Sequence, residues 1–229
     1  MVIKVATTWI FLLGVMFNLI GQAHAYTAPS ECQLAQDNKL TIKQTLKCFV
    51  PLIMASSKEL AIEQALVLAI IHQESGFNTN ARSSSNALGL MQIMSKSSAV
   101  DVTNKLVGQK VILPTSFIIH PSKNITLGIQ YLSILKHQYL KQIMNSDSQR
   151  LAIIAAYNGG IGSLQRWDLK HAGTENNKVS LTFPQQINVI SSDKFKQLLI
   201  YHHPFKETRD YVKKVEQHYQ FYKTLLAQH

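Results

Sequence analysis

The apolar pattern is densest between Leu60 and Ser75, where the chain reads LAIEQALVLAIIHQES. Leu60, Ile62, Ala65, Leu66, Leu68, Ala69, Ile70 and Ile71 leave almost no polar face until the end. A helix apolar nearly all round is buried at the centre of a domain. Gly76 supplies its stop signal. Residues 77–87 read as a polar loop, and Gly89 to Val100 as a short apolar helix. Between 103 and 122, β-branched residues broken by Gly108, Pro114 and Pro121 predict a hairpin or irregular excursion. Asn124 to Met144 predicts a long amphipathic helix with Ile125, Ile129, Leu132, Leu135, Tyr139 and Ile143 on one face. Ser148 to Tyr157 predicts another, ended by Asn158-Gly159-Gly160. A loop around 168–182 and helices near 184–191 and 193–201 follow. The last helix runs from Lys206 to Leu226, with Tyr211, Val212, Val215, Tyr219 and Tyr222 inward. The helical pattern starts at Pro51, after a polar, extended or partly helical lead-in over 26–48. Repeats and low-complexity tracts are absent. The sum is one mainly α domain around a buried central helix, with a small β-hairpin excursion.

The 229 residues suffice for one sizeable hydrophobic core. Lys4, an uncharged apolar stretch from Val5 to about Ile20, and Ala23-His24-Ala25 read together as a secretory signal peptide, cleaved after Ala25. The alternative is an uncleaved anchor, for which the stretch is short. The expected organisation is a signal at 1–25, an N-terminal extension at 26–49 and the main helical domain at 50–229. Export to the periplasm makes a disulfide between Cys32 and Cys48 chemically reasonable. It would contribute about 3 kcal/mol in the chain-entropy picture. Two free buried thiols are the alternative. No cluster has metal-ligand spacing: His202 and His203 are adjacent, so their side chains diverge. Neither metal nor cofactor is expected. The net charge is +10, and the signal takes only Lys4 with it. Scattered Lys and Arg without basic runs argue against nucleic acid and suit an acidic polymer or surface.

Glu74 stands out chemically. It sits at the C-terminal end of the most apolar helix, where burial and the negative end of the helix dipole both disfavour its charged form. That placement suits a carboxylic acid that must donate a proton near neutral pH. The bland alternative is a glutamate that ends the helix and faces water. Glu74-Ser75 is followed by Ala87-Leu88-Gly89-Leu90-Met91-Gln92-Ile93-Met94. Ala155-Ala156-Tyr157-Asn158-Gly159-Gly160 comes later, and then Pro204-Phe205-Lys206-Glu207-Thr208-Arg209-Asp210-Tyr211-Val212. These four pieces, in this order over about residues 50–225, resemble the catalytic domain of soluble-type lytic transglycosylases. Those enzymes share the goose-type lysozyme fold of glycoside hydrolase family 23. The insertion after GLMQI and the long stretch before ETRDY look most similar to a membrane-bound member.

The resemblance implies roles for particular residues. Glu74 matches the acid/base, and Tyr157 a tyrosine whose hydroxyl lies near it. Ser83 matches a serine contacting the substrate's N-acetyl region, and Gly89 a glycine where a side chain would obstruct the sugar. Gln92, Met94, Asn158, Glu207 and Tyr211 match residues of the glycan groove. Met94 and Tyr211 have a core alternative, and Glu207 the alternative of a dipole-stabilised acid at a helix start. The implied substrate is the glycan strand of peptidoglycan. Glycosidases ordinarily use two carboxylates, yet the next acidic residue after Glu74 is Asp101, beyond GLMQI. A single-carboxylate reaction ending in a 1,6-anhydromuramic acid is therefore expected. A hydrolytic muramidase of the same fold and a non-catalytic peptidoglycan-binding component are the rivals. The expected protein is a monomer, with an envelope secretion or conjugation apparatus as its recruiting partner.

Overall fold

The structure is a computed structural model that describes residues 41–169 and 181–228. The signal segment, Cys32 and most of the loop around 168–182 lie outside the described residues. Two compact units divide the chain: residues 41–67 with 74–131, and residues 68–73 with 132–169 and 181–228. The central helix contributes residues to both.

In the first unit, α1 spans Ile42–Glu59 and thus begins well before Pro51, which lies inside it. The expected boundary at residue 50 falls within this helix. Thr41 and Gln44 form a capping box at its start. Thr45, Cys48, Phe49 and Ile53 are buried along one face, a helical spacing that the polar neighbours and Pro51 obscure in the sequence. Leu60 caps α1, and Ala61 at φ 52° breaks the chain direction. The central helix α2 therefore runs Gln64–Ser75 rather than from Leu60. Val67 to Ile71 are fully buried, as the all-round apolar pattern requires.

The predicted helix from Gly89 to Val100 is replaced by a hairpin. Strand β1 (Ala87–Leu88) pairs antiparallel with β2 (Ile93–Met94), in register Ala87 with Met94 and Leu88 with Ile93. Gly89 at φ 72° and Gln92 at φ 47° are incompatible with a continuing right-handed helix. The hairpin thus lies upstream of 103–122. That stretch instead holds the end of α3 (Ser98–Val107) and α4 (Thr115–Ile118). Helix α5 (Pro121–Ile134) follows, and the expected helix to Met144 stops early in a π turn over Leu135–Tyr139. There Leu140 N donates to Leu135 O, 2.9 Å.

The second unit is built on α6 (Ser146–Gly159), whose residues Leu151 to Ala156 are buried. Short α7 (Ile161–Arg166) and α8 (Phe183–Asn188) precede α9 (Ser192–His202) and α10 (Lys206–Leu226). Helix α10 packs on α6 and α9 through Tyr211, Val212, Val215, Tyr219 and Tyr222, the stripe predicted from the sequence. Arg150 is buried in this core. Its Nη2 lies 3.3 Å from Glu216 Oε1, and its guanidinium lies over the Tyr219 ring at 4.1 Å. Among the described residues no helix is long and apolar enough to cross a membrane. The fold class is mainly α, as expected.

Candidate active site

The first unit carries Glu74 and the residues that hold it. Glu74 is half-buried in the last turn of α2, where the apolar helix gives way to His72, Gln73 and Ser75. Ser75 Oγ donates to Leu90 O at 2.9 Å, fastening this helix end to the turn of the hairpin. Gly76 takes φ 56° and lets the chain leave the helix. Phe77 packs its ring 5.3 Å from that of Phe49 on α1.

The hairpin turn is held from beneath by Asn124, whose side chain is fully buried at the start of α5. Its Oδ1 accepts from Met91 N at 2.8 Å, and its Nδ2 donates to Leu88 O at 2.8 Å and Ile118 O at 2.9 Å. Gly89 approaches this amide so closely that a Cβ would meet Asn124 Nδ2 at 2.6 Å. Glycine at 89 is thus required by both the positive φ and the buried amide, irrespective of any sugar. Gly128 on α5 similarly leaves room for Met91, whose Sδ would lie 2.2 Å from an added Cβ.

Gln92 is half-buried and folds back on its own turn. Its Nε2 donates to Gly89 O at 2.9 Å and to Ala81 O at 3.3 Å. The side-chain oxygen is the end left for a ligand. Met94 is 39% exposed, which excludes its core alternative. Ser83 is exposed, and its Oγ accepts from Ala87 N at 3.0 Å, so the hydroxyl hydrogen stays free to donate. These contacts bring the ends of α2, the polar loop and the hairpin together.

The second unit carries Tyr157, Asn158, Glu207 and Tyr211. Asn158 Oδ1 accepts from Thr208 Oγ1 at 3.0 Å, tying the end of α6 to the first turn of α10. Gly159 makes this possible, since a Cβ there would meet the same hydroxyl at 2.9 Å. Tyr157 is half-buried, Tyr211 is 6% exposed, and Glu207 is exposed on the first turn of α10. Asn124, Ser75 and Thr208 were not singled out from the sequence. A lone Asn opening the apolar run NITLGIQYL was the signal for the first of them.

Within the second unit, His72 of α2 stacks on His218 with centroids 3.9 Å apart. Its Nδ1 lies 3.0 Å from Tyr222 Oη. Burial holds His72 below the usual imidazole range. It does the same to His218, aided by the charges of His72 and Lys214, and pushes the Tyr222 hydroxyl up to about 12. His203 is buried against Trp167, its pKa also lowered by burial. Among the described residues no group of His, Cys, Asp or Glu is arranged to hold a metal ion. Cys48 is buried and disulfide-bonded, and Cys32 is the chain's only other cysteine.

Residues 51–180 match the transglycosylase SLT domain. The chain is 40% identical over 167 residues to membrane-bound lytic murein transglycosylase C of Pectobacterium atrosepticum and to the protein of that name in Yersinia pestis. The alignment covers 73% of this chain and 44% of either relative, so the chain spans less than half of their length. A solved structure of an inactive mutant of lytic transglycosylase Slt from Pseudomonas aeruginosa superposes with TM-score 0.56. It is 26% identical, over 78% of this chain and 24% of that one. The 70-kDa soluble lytic transglycosylase of Escherichia coli shares the fold at TM-score 0.57 and 22% identity, over 92% of this chain and 32% of that one. A helical domain with Glu74 closing its buried helix, fastened to a GLMQI hairpin inside the matched segment, belongs to the transglycosylase SLT domain family.

Proposed function

We propose that this protein is a peptidoglycan lytic transglycosylase in which Glu74 is the single acid/base. The observation that carries this reading is the placement of Glu74. It is a half-buried residue at the end of a buried helix, fixed through Ser75 to the turn that bears Gly89 and Gln92. Protonated Glu74 donates to the glycosidic oxygen between N-acetylmuramic acid and N-acetylglucosamine, and the C1–O bond breaks. The muramic N-acetyl oxygen stabilises the positive charge developing at C1. Ionised Glu74 then takes the proton of the C6 hydroxyl while the C6 oxygen bonds to C1. The product is a 1,6-anhydro end, and the acid is restored. Because the nucleophile belongs to the same sugar, no water has to be positioned.

Three further features support this reading. Residues 75–100 contain no Asp or Glu, so no neighbour in sequence supplies a second carboxylate. The Gln92 oxygen and the Ser83 hydroxyl offer an acceptor and a donor suited to sugar hydroxyls and an N-acetyl group. On family resemblance Tyr157 is assigned beside the catalytic carboxyl, and Asn158, Glu207 and Tyr211 are assigned to the glycan groove. The protein acts in the cell envelope, exported by its first 25 residues and recruited by an envelope apparatus that needs local wall opening. Digestion of purified peptidoglycan followed by mass analysis tests the reaction. Anhydromuramyl ends are expected, and reducing ends would transfer the assignment to a muramidase.

A further inference from the structure

Beside the hairpin lies a pocket to which the reaction above assigns no chemical step. It has a volume of about 270 Å3 and is lined by Arg82, Ser85, Asn86, Met94, Lys96 and Thr115, among others. Its lining contains two cations and no acidic residue. Arg82 is held in place by its backbone, which bridges antiparallel to Leu88 on β1. Lys96 follows β2 by two residues, and the turn between them is fixed by Ser97 N donating to Met94 O. Both side chains are exposed, and among the described residues neither meets a carboxylate. Two cations without a carboxylate partner among the described residues, beside hydroxyl and amide groups, have the chemistry to receive a carboxylate, and Arg82 offers a two-pronged donor.

We propose that this pocket takes a carboxylate of the peptide stem attached to the muramic acid, so that the protein favours stem-bearing strands. The inference rests on the peptidoglycan reading above. Two points of chemistry single out the stem. The lactyl carboxyl of muramic acid is consumed in the amide that joins the stem, so a negative charge must come from farther along the peptide. The exposed Met94, which the family resemblance assigns to the glycan groove, also lines the pocket. A strand passing Met94 therefore offers its stem to the cations.

The test is a binding comparison in the full chain carrying Glu74→Gln, with or without Arg82→Ala and Lys96→Ala. Isothermal titration uses three fragments of one glycan: stem-bearing, amidase-stripped, and stem-bearing with its carboxylates chemically amidated. Loss of two exposed charge contacts is expected to weaken stem-bearing binding about five- to twentyfold. The protein with both cations should bind amidated stems about that much more weakly than native ones. A charge-preserving Arg82→Lys, Lys96→Arg variant should keep most of the affinity. Equal affinity for native and amidated stems would overturn the proposal, and so would an equal loss on stripped strands. Because stripping frees the lactyl carboxylate, a loss confined to stripped strands would move the site to that group and also overturn it. Turnover by the wild type is scored separately. Missing anhydro ends would remove the lyase reading and leave the binding comparison intact, whereas anhydro ends without charge-dependent binding would remove only the pocket.

Discussion

Replacing Asn124 with alanine removes three hydrogen bonds at once, two of them to the hairpin and one to α4. Met91 N–H, Leu88 C=O and Ile118 C=O each bond to this fully buried amide at 2.8, 2.8 and 2.9 Å. A buried polar group left unsatisfied costs about 1–3 kcal/mol. Water entering the vacated space recovers part of that, so about 3–5 kcal/mol is expected for the three together. For a domain of this size, about 2–4 °C per kcal/mol converts this to a melting temperature lower by roughly 6–20 °C. Thermal unfolding followed by circular dichroism is the assay. A double-mutant cycle with Gly89→Ala sharpens it. Alone, Gly89→Ala places a Cβ 2.6 Å from the Asn124 amide in a residue at φ 72°. In the Asn124→Ala background the clash is gone and only the backbone strain of about 1–2 kcal/mol remains. The double variant should therefore be more stable than the sum of the singles predicts, by about 1–3 kcal/mol. A melting shift under about 3 °C for Asn124→Ala, or simple additivity in the cycle, would refute the claim that this amide organises the hairpin.

Glu74→Gln keeps the shape of a half-buried side chain but removes its proton chemistry. Release of anhydromuramyl ends should fall by about a hundred- to ten-thousandfold, with the melting temperature nearly unchanged; undiminished release would end the catalytic assignment. His72 and His218 have pKa values lowered by burial, so the folded protein binds fewer protons than the unfolded chain. Their contribution to stability is complete above the ordinary value of 6.5 and is lost as pH falls toward the lower folded values. Melting curves between pH 7.5 and 5 should show a decline that His218→Gln reduces, and an identical decline in both proteins would contradict this. Arg150→Met strands Glu216, which is 4% exposed. Lys196, at 3.5 Å but partly exposed, compensates incompletely, so denaturant unfolding should show a loss of about 3–5 kcal/mol. Arg150→Met with Glu216→Leu should recover most of it, and a double variant as unstable as the single would rule out the stranded charge as the cause.

Much of this was legible in the sequence because helical periodicity is a strong signal over long segments. The stripe Tyr211, Val212, Val215, Tyr219 and Tyr222 and the bounds of α10 were read correctly for that reason. The all-round apolar run ending at Glu74 likewise identified a fully buried helix. Two expectations failed for different reasons. Residues 42–49 hide their spacing of buried positions among lysines and threonines, and the Thr41–Gln44 capping box gives the start that Pro51 was taken to mark. The run LGLMQIM is apolar at nearly every position, which fits strand and helix equally. Only Gly89 hinted at the turn. The candidate site residues stand in recognisable motifs, whereas their supports do not. Asn124, Ser75 and Thr208 act through bonds to residues 15 to 50 positions away, and no local pattern announces such a partner.

The place where local reading failed is also where the backbone departs most from ordinary conformations. Gly76, Phe77, Asn86, Gly89 and Gln92 all take positive φ within one segment, and the rest of the described chain contributes only Ala61, Gly108 and Gly160. For Phe77, Asn86 and Gln92 this conformation costs of order 1–3 kcal/mol each and persists only where the surroundings over-determine it. The surroundings here do so. Gln92 returns its own amide to Gly89 O and Ala81 O, and Ser83 clasps Ala87 from both backbone and side chain. Asn124 fixes the turn from below, and Phe77 is seated against Phe49. A relaxed helix over 89–100 would satisfy propensity and leave Leu90 O without its bond to Ser75, freeing the helix end that carries Glu74. The strain is thus tied to the position of the carboxyl. Gln92→Gly keeps the positive φ without its cost but removes the bonds to Gly89 O and Ala81 O that hold the turn. It should therefore lower release of anhydromuramyl ends more than it lowers the melting temperature, and undiminished release would contradict this.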